Sequence, residues 1–252
     1  MPSALFISPH LDDAVFSCGA TIARLVESGS DVTVLTVFTG DVAFPTGFAL
    51  ECQTGKGLAP DADYMALRRQ EDRAALKIMG VSSVIHWPFL EAPYRGYNSP
   101  PELFAGLREG DDVWRNIRRE LEGLGSANGQ LPFDCVFGPQ GLGNHVDHLQ
   151  VIRALGGFEN VSWYRDTPYA LREPDAVPSL LLPLELKPQA TLFGDATLFQ
   201  KVAACCAYES QLGFQFGGAM EAARKLTEFH RAEGKALGSP AFAERFLAPA
   251  NS

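Results

Sequence analysis

Along most of the chain, short apolar runs alternate with longer stretches in which apolar residues recur every three or four positions. The runs predict buried strands and the spaced stretches predict helices. Ala4 to Ile7 is the first run, closed by Pro9. Val15 to Val26 follows, with Val15, Ile22, Leu25 and Val26 at helical spacing and Gly29 as its stop. Asp31 to Phe38 is nearly all Val, Leu and Thr, as a strand covered on both faces should be. Strand, helix and strand in that order form a right-handed crossover, so the chain begins as a doubly wound parallel sheet.

The same alternation continues with a helix over Tyr64 to Met79, a third strand over Val81 to Trp87 and an amphipathic helix over Asp111 to Leu124. A fourth strand spans Asp134 to Gly138, a helix Leu149 to Leu155, and a fifth strand Val161 to Tyr164. Two connections lack periodicity: Thr39 to Asp63, long enough for a lid or binding loop, and Pro88 to Pro101, which carries Glu91, Tyr94, Arg95 and Tyr97. Leu180 to Leu186, among Pro178, Pro183 and Pro188, suggests short edge strands. Ala196 to Tyr208 and Met220 to Lys235 read as helices.

Composition narrows the class. A chain of 252 residues, 46% hydrophobic, can bury one sizeable α/β core, and no repeat or linker divides residues 1–252 into more than one domain. No apolar stretch approaches the roughly 18 residues of a membrane span, and no secretory leader opens the chain, so a cytoplasmic location is expected. A formal charge of -9 argues against a nucleic-acid partner. The five cysteines form no CxxC pair and read as reduced, mostly buried thiols, Cys18 included.

Two polar clusters interrupt this pattern where the chain leaves a strand. Ser8-Pro9-His10-Leu11-Asp12-Asp13 follows the first strand, and His145-Val146-Asp147-His148 follows the fourth. In open α/β sheets the carboxyl edge is where ligands bind. His145 and His148 lie three apart at a helix start and can face one spot. Three protein groups with a fourth position left to water make a catalytic zinc site, and these clusters offer six candidates, so some must work beside the metal.

The two clusters together resemble the PIG-L or LmbE-like family of zinc-dependent de-N-acetylases, with its (A/P)-H-x-D-D and H-x-D-H motifs. Arg68-Arg69-Gln70-Glu71 is similar to that family's R-x-x-E helix, and Tyr208-Glu209-Ser210-Gln211 to its Y-x-S-Q segment. The resemblance implies a Rossmann-like three-layer α/β fold with a mostly parallel sheet and a small C-terminal strand-and-helix extension. It implies an enzyme that removes an N-acetyl group from an N-acetylglucosaminyl-type amino sugar or glycoside. It further implies that His10, Asp13 and His148 hold Zn2+, or another divalent ion such as Fe2+. Asp12 is then the general base, His145 the oxyanion stabiliser or proton donor, and Asp147 the group that orients His145. Arg68 and Glu91 are the expected substrate-binding residues. The expected partner is a small amino sugar, with neither nucleic acid nor membrane, and a homo-oligomer is compatible with all of this.

Departures from the family pattern are visible. Many relatives read H-P-D-D-E where this chain has Leu11 and Ala14, and some carry a tyrosine where this chain has Gly143. Transition-state stabilisation then falls to His145 and the metal, or to a loop tyrosine. One alternative keeps the fold and metal but acts on the amide of a mycothiol-type thiol conjugate, favoured by a larger apolar pocket around Phe44, Phe48 or Tyr94. Another is a nucleotide-binding module, opposed by the absence of G-x-G-x-x-G after the first strand and by carboxylates that repel phosphate. His86 is expected in the core, His230 at the surface, Trp163 and Tyr164 in the core, and Glu221 and Glu228 on a solvated helix face.

Overall fold

The structure is a computed structural model that describes residues 1–183 and 185–249. Its centre is a seven-stranded sheet in the order β3-β2-β1-β4-β5-β7-β6. The strands are β1 (Ser3–Ser8), β2 (Asp31–Thr36), β3 (Ser83–His86), β4 (Cys135–Pro139), β5 (Val161–Tyr164), β6 (Leu186–Phe193) and β7 (Phe242–Pro249). β1 to β5 pair in parallel, β7 is antiparallel to β5, and β6 is antiparallel to β7. The order reverses between β1 and β4, which makes the gap beyond their carboxyl ends the switch point of the sheet.

Alternation along β1 divides the core. Ala4 and Phe6 face one layer, with α1 (Asp13–Glu27), α3 (Tyr64–Ile78), α8 (Asp195–Cys206), α9 (Glu209–Phe216) and α10 (Ala219–Ala236). Leu5 and Ile7 face the other, with α5 (Val113–Gly123) and α6 (Val146–Leu155). Phe6 stacks on Phe137 of β4 at 4.4 Å between ring centroids. Each such side chain, fully withdrawn from water, contributes roughly 1.5–3 kcal/mol. The sheet is therefore rigid where its two central strands release the polar clusters.

Several expectations need correction. Residues 39–63 are not wholly irregular: α2 (Gly47–Thr54) lies within them, and residues 88–101 contain a 3-10 turn at Ala92–Arg95 and the start of α4 (Pro100–Phe104). No strand occupies residues 180–183; β6 starts at Leu186, and Leu184 lies outside the described residues. Pro188 and the exposed Lys187 and Gln189 hide this edge strand from a search for apolar runs, and only its partner β7, some fifty residues on, defines it. The helix α9 was also unread. His230 is buried, not exposed: its Nδ1 donates to the carbonyl of Ala243 at 2.9 Å and its ring meets Phe193.

α7 (Tyr169–Arg172) follows β5 and completes the helices. Among the described residues no helix is long and apolar enough to cross a membrane.

Candidate active site

The first cluster is held by its own backbone. Ser8 Oγ donates to the carbonyl of His10 (2.6 Å) and accepts from the amide of Ala14 (2.9 Å), folding the turn between β1 and α1. Asp13 opens α1, and its Oδ2 accepts the His10 amide at 2.8 Å. On the other side of the switch point, Gly141 and Gly143 take φ of +75° and +80°, which only glycine adopts without strain. That turn brings His145 to the cap of α6 and puts His148 one helical turn further in.

The clusters meet. One ring nitrogen from each of His10, His145 and His148 lies within 4.8 Å of the others. Asp13 Oδ2 sits 3.1 Å from His10 Nδ1 and 3.2 Å from His148 Nε2. His148 Nε2 is buried, yet no hydrogen bond satisfies it; the Asp13 oxygen is near but not aligned. A buried ring nitrogen without a hydrogen bond, beside a carboxylate and a second imidazole, fits a divalent cation that would replace its proton.

Hydrogen bonds on the far side of each ring decide which nitrogen is free. His148 Nδ1 meets Asp166 Oδ1 at 2.6 Å, and His10 Nε2 meets Asp147 Oδ2 at 2.9 Å. A carboxylate accepts only, so those outer nitrogens carry protons, and His148 Nε2 and His10 Nδ1, both turned toward Asp13 Oδ2, are the nitrogens at which a cation could replace a proton. His145 is arranged oppositely: its Nδ1 accepts the Asp147 amide at 3.2 Å, which leaves the proton on Nε2. Asp147 was expected to orient His145, and the bond between the two comes from this amide; the Asp147 carboxylate serves His10, Arg95 (2.7 Å) and the Ala92 amide (3.0 Å).

The family model described as PIG-L, GlcNAc-PI de-N-acetylase, matches residues 5–156. The chain is 31% identical over 215 residues to 2'-N-acetylparomamine deacetylase of Streptomyces fradiae, covering 82% of this chain and 72% of that one. The chain belongs to the PIG-L family. A solved deacetylase of the teicoplanin biosynthesis pathway superposes with a TM-score of 0.78 at 28% identity, over 97% of this chain and 96% of that one. A structure described as the zinc-inhibited form of teicoplanin deacetylase gives 0.76 at 28% identity, covering 97% of each chain. Like these PIG-L relatives, the protein is an N-deacetylase, a hydrolase of amide bonds.

The PIG-L cluster forms the floor of a cavity of about 310 Å³ that also reaches Arg68, Glu91 and Tyr169. A wider groove of about 810 Å³ beside Val177 and Leu180 contains none of the clustered His or Asp side chains, so its size carries no chemistry. Burial sets the titrations on the floor. It pushes Asp12 up to about 7 against the pull of Arg68, while His145, buried beside His10, falls to about 3. For His148 burial acts downward, but Asp13 and Asp166 outweigh it and hold the ring at about 9. Asp13 stays well below the usual carboxylate range despite burial, because His148 and His10 face it. The field that draws protons to these rings would equally draw a cation.

Arg68 and Glu91, the expected substrate residues, meet each other at 2.5 Å, and Arg68 also lies 3.6 Å from Asp12. Arg68 is thus engaged with the first cluster before any ligand arrives. The R-x-x-E and Y-x-S-Q segments also touch: Glu71 accepts from the amide and hydroxyl of Ser210, and Gln211 donates to Tyr64. Asp166 and Tyr169 were missed. Asp166 had a readable signal, an acid just past a strand at the same sheet edge. Tyr169 had none, because only folding lays its ring against Gly143: a Cβ there would stand 2.5 Å from it.

Proposed function

We propose that residues 1–252 act as one catalytic unit that removes the N-acetyl group from an amino-sugar glycoside. The observation that carries this reading is the convergence of His10 Nδ1, Asp13 Oδ2 and the unpartnered His148 Nε2, with Asp12 next to them and committed to none of them. His10, Asp13 and His148 would hold a divalent ion, zinc or iron(II). Such an ion, when bound, supplies Lewis-acid chemistry, acidifying a water and polarising an amide carbonyl.

The remaining work belongs to the chain. Asp12, raised to about 7 by burial, is ionised often enough near neutrality to accept a proton from the attacking water and protonated often enough to return it to the departing amine. His145, neutral with its proton on Nε2, donates a hydrogen bond to the developing oxyanion. Tyr169, which fills the space left by Gly143 and packs edge-on against His148, offers a second neutral donor. Arg68 holds Asp12 in place, and the outer atoms of Arg68 and Glu91 face the sugar hydroxyls.

The name of the Streptomyces fradiae relative, a 2'-N-acetylparomamine deacetylase, supports an amino-sugar glycoside as substrate. The test is acetate release from a panel of N-acetylated amino-sugar glycosides and thiol conjugates. Release from the glycosides, stopped by chelation and restored by a divalent ion, supports the reading. Release from the thiol conjugates alone would replace it with the amidase alternative.

A further inference from the structure

Residues 88–101 bring rings and charges to the sheet edge, yet two of these side chains turn away from the cavity. Arg95, at the end of the 3-10 turn, is largely buried and does not line the cavity, and Tyr97 is fully buried. Both serve Asp111, just ahead of α5. Arg95 Nε and Nη2 donate to its two oxygens at 3.2 and 3.0 Å, and the Tyr97 hydroxyl donates to Oδ2 at 2.9 Å. The remaining arm of the guanidinium, Nη1, donates to Asp147 Oδ1 at 2.7 Å and to the Leu90 carbonyl at 2.6 Å. Asp147 is fully buried, and its other oxygen accepts from His10 Nε2 (2.9 Å) and from the Ala92 amide (3.0 Å). A carboxylate gripped by three separate donors has one position open to it, and so has the imidazole that donates to it. The guanidinium also stands 5.0 Å from the centre of the Phe38 ring, itself 6.2 Å from the His10 ring, so Arg95 and His10 flank a common ring.

We infer that Arg95 is a positioning residue for the metal site: its planar fork ties Asp111 to Asp147 and thereby fixes the His10 ring, whose Nδ1 faces Asp13. The inference rests on the metal-dependent reading above and adds to it a residue whose hydrogen bonds go to none of the three ligands. A lysine would carry the same charge, but one ammonium on a flexible stem cannot reproduce the planar fork that holds two carboxylates at once. Geometry, rather than charge alone, is what the site draws from Arg95. Residues 88–101 then have a structural task at the reaction centre. They supply both the Ala92 amide and the Arg95 fork, enclose the Asp147 carboxylate, and couple the start of α5 to a ligand in the turn between β1 and α1.

The experiment compares the parent protein, Arg95→Lys and Asp111→Asn by zinc affinity, in competition with a chelator, and by the visible absorption of the cobalt(II)-loaded protein, which reads the arrangement of the ligands. Arg95→Lys keeps the charge near the ion and removes the fork. Its zinc affinity should fall about tenfold and its cobalt bands should move. Its kcat should drop with KM for an N-acetylated glycoside nearly unchanged, because Arg95 lies outside the cavity lining. Asp111→Asn leaves the bond to Asp147 in place but loosens its anchor, and should shift affinity the same way by a smaller factor. Circular dichroism of the metal-free proteins checks folding, and either folded variant is sufficient for the test. Parent-like zinc affinity and cobalt spectrum in folded Arg95→Lys, or in folded Asp111→Asn where the lysine variant does not fold, overturn the role of Arg95 and leave the metal site standing. A parent chain that binds no zinc overturns the metal-dependent reading and the role of Arg95 with it.

Discussion

Lys201 and Glu244, on α8 and β7, are as thoroughly buried as His148 and Asp13 at the sheet edge, and both pairs are charged. Their surroundings differ. Lys201 Nζ meets Glu244 Oε1 at 2.6 Å, and the same carboxylate accepts the amides of Ala20 and Thr21 and the Thr21 hydroxyl. The lysine stem fills the space beside Gly19, where a Cβ would stand 3.0 Å away. The cluster is closed: its donors and acceptors are matched, and neither residue lines the catalytic cavity. At the sheet edge, His148 Nε2 lacks a hydrogen bond and the group opens on a cavity. Burial of charge alone therefore does not mark function; an unsatisfied buried group beside carboxylates and imidazoles that line a cavity does.

That contrast can be broken from either side. The largest effect belongs to the open cluster: Asp12→Asn should retain about one metal ion per chain while turnover falls by about 10²–10⁴, read by metal analysis and steady-state kinetics. Metal loss in that variant would move Asp12 onto the ion. On the closed side, Lys201→Met leaves Glu244 buried without its cation and should cost about 3–5 kcal/mol in chemical denaturation, with metal affinity of the folded protein unchanged. A loss below about 1 kcal/mol would mean that water already reaches the pair.

Asp166→Asn tests the link between the two kinds of polar burial, because it keeps the shape but weakens the acceptor that fixes the His148 tautomer. Zinc affinity should fall about 10–100-fold, measured by competition with a chelator, and an unchanged affinity would remove Asp166 from the site. The smallest effect concerns His230, whose pKa burial depresses well below 6.5. It stays neutral in the fold, whereas the unfolded chain takes up a proton near pH 6.5. Its contribution to stability is therefore intact above about pH 6.5 and lost as pH falls below it. Denaturation midpoints of His230→Leu and the parent protein should converge toward acid, and parallel curves would contradict this.

Much of the fold was legible because parallel strands covered on both faces write themselves as short, largely apolar runs, as β1, β2, β4 and β5 do. β6 was not, since an exposed edge strand needs no apolar run and its partner lies far along the chain. Both metal-site motifs could be read, as they are local and sit on strand ends. The donor to the Asp147 carboxylate could not: sequence proximity favoured His145, while the helix start points the side chain at His10. Tyr169 was equally hidden, being laid against Gly143 only by folding.

Two distant turns would thus build one divalent-ion site from His10, Asp13 and His148. Calorimetric titration of zinc into the chelator-stripped protein, alongside His148→Ala, measures this. One ion should bind per parent chain and none at that affinity in the variant; equal binding by the two proteins would mean that the ion sits elsewhere.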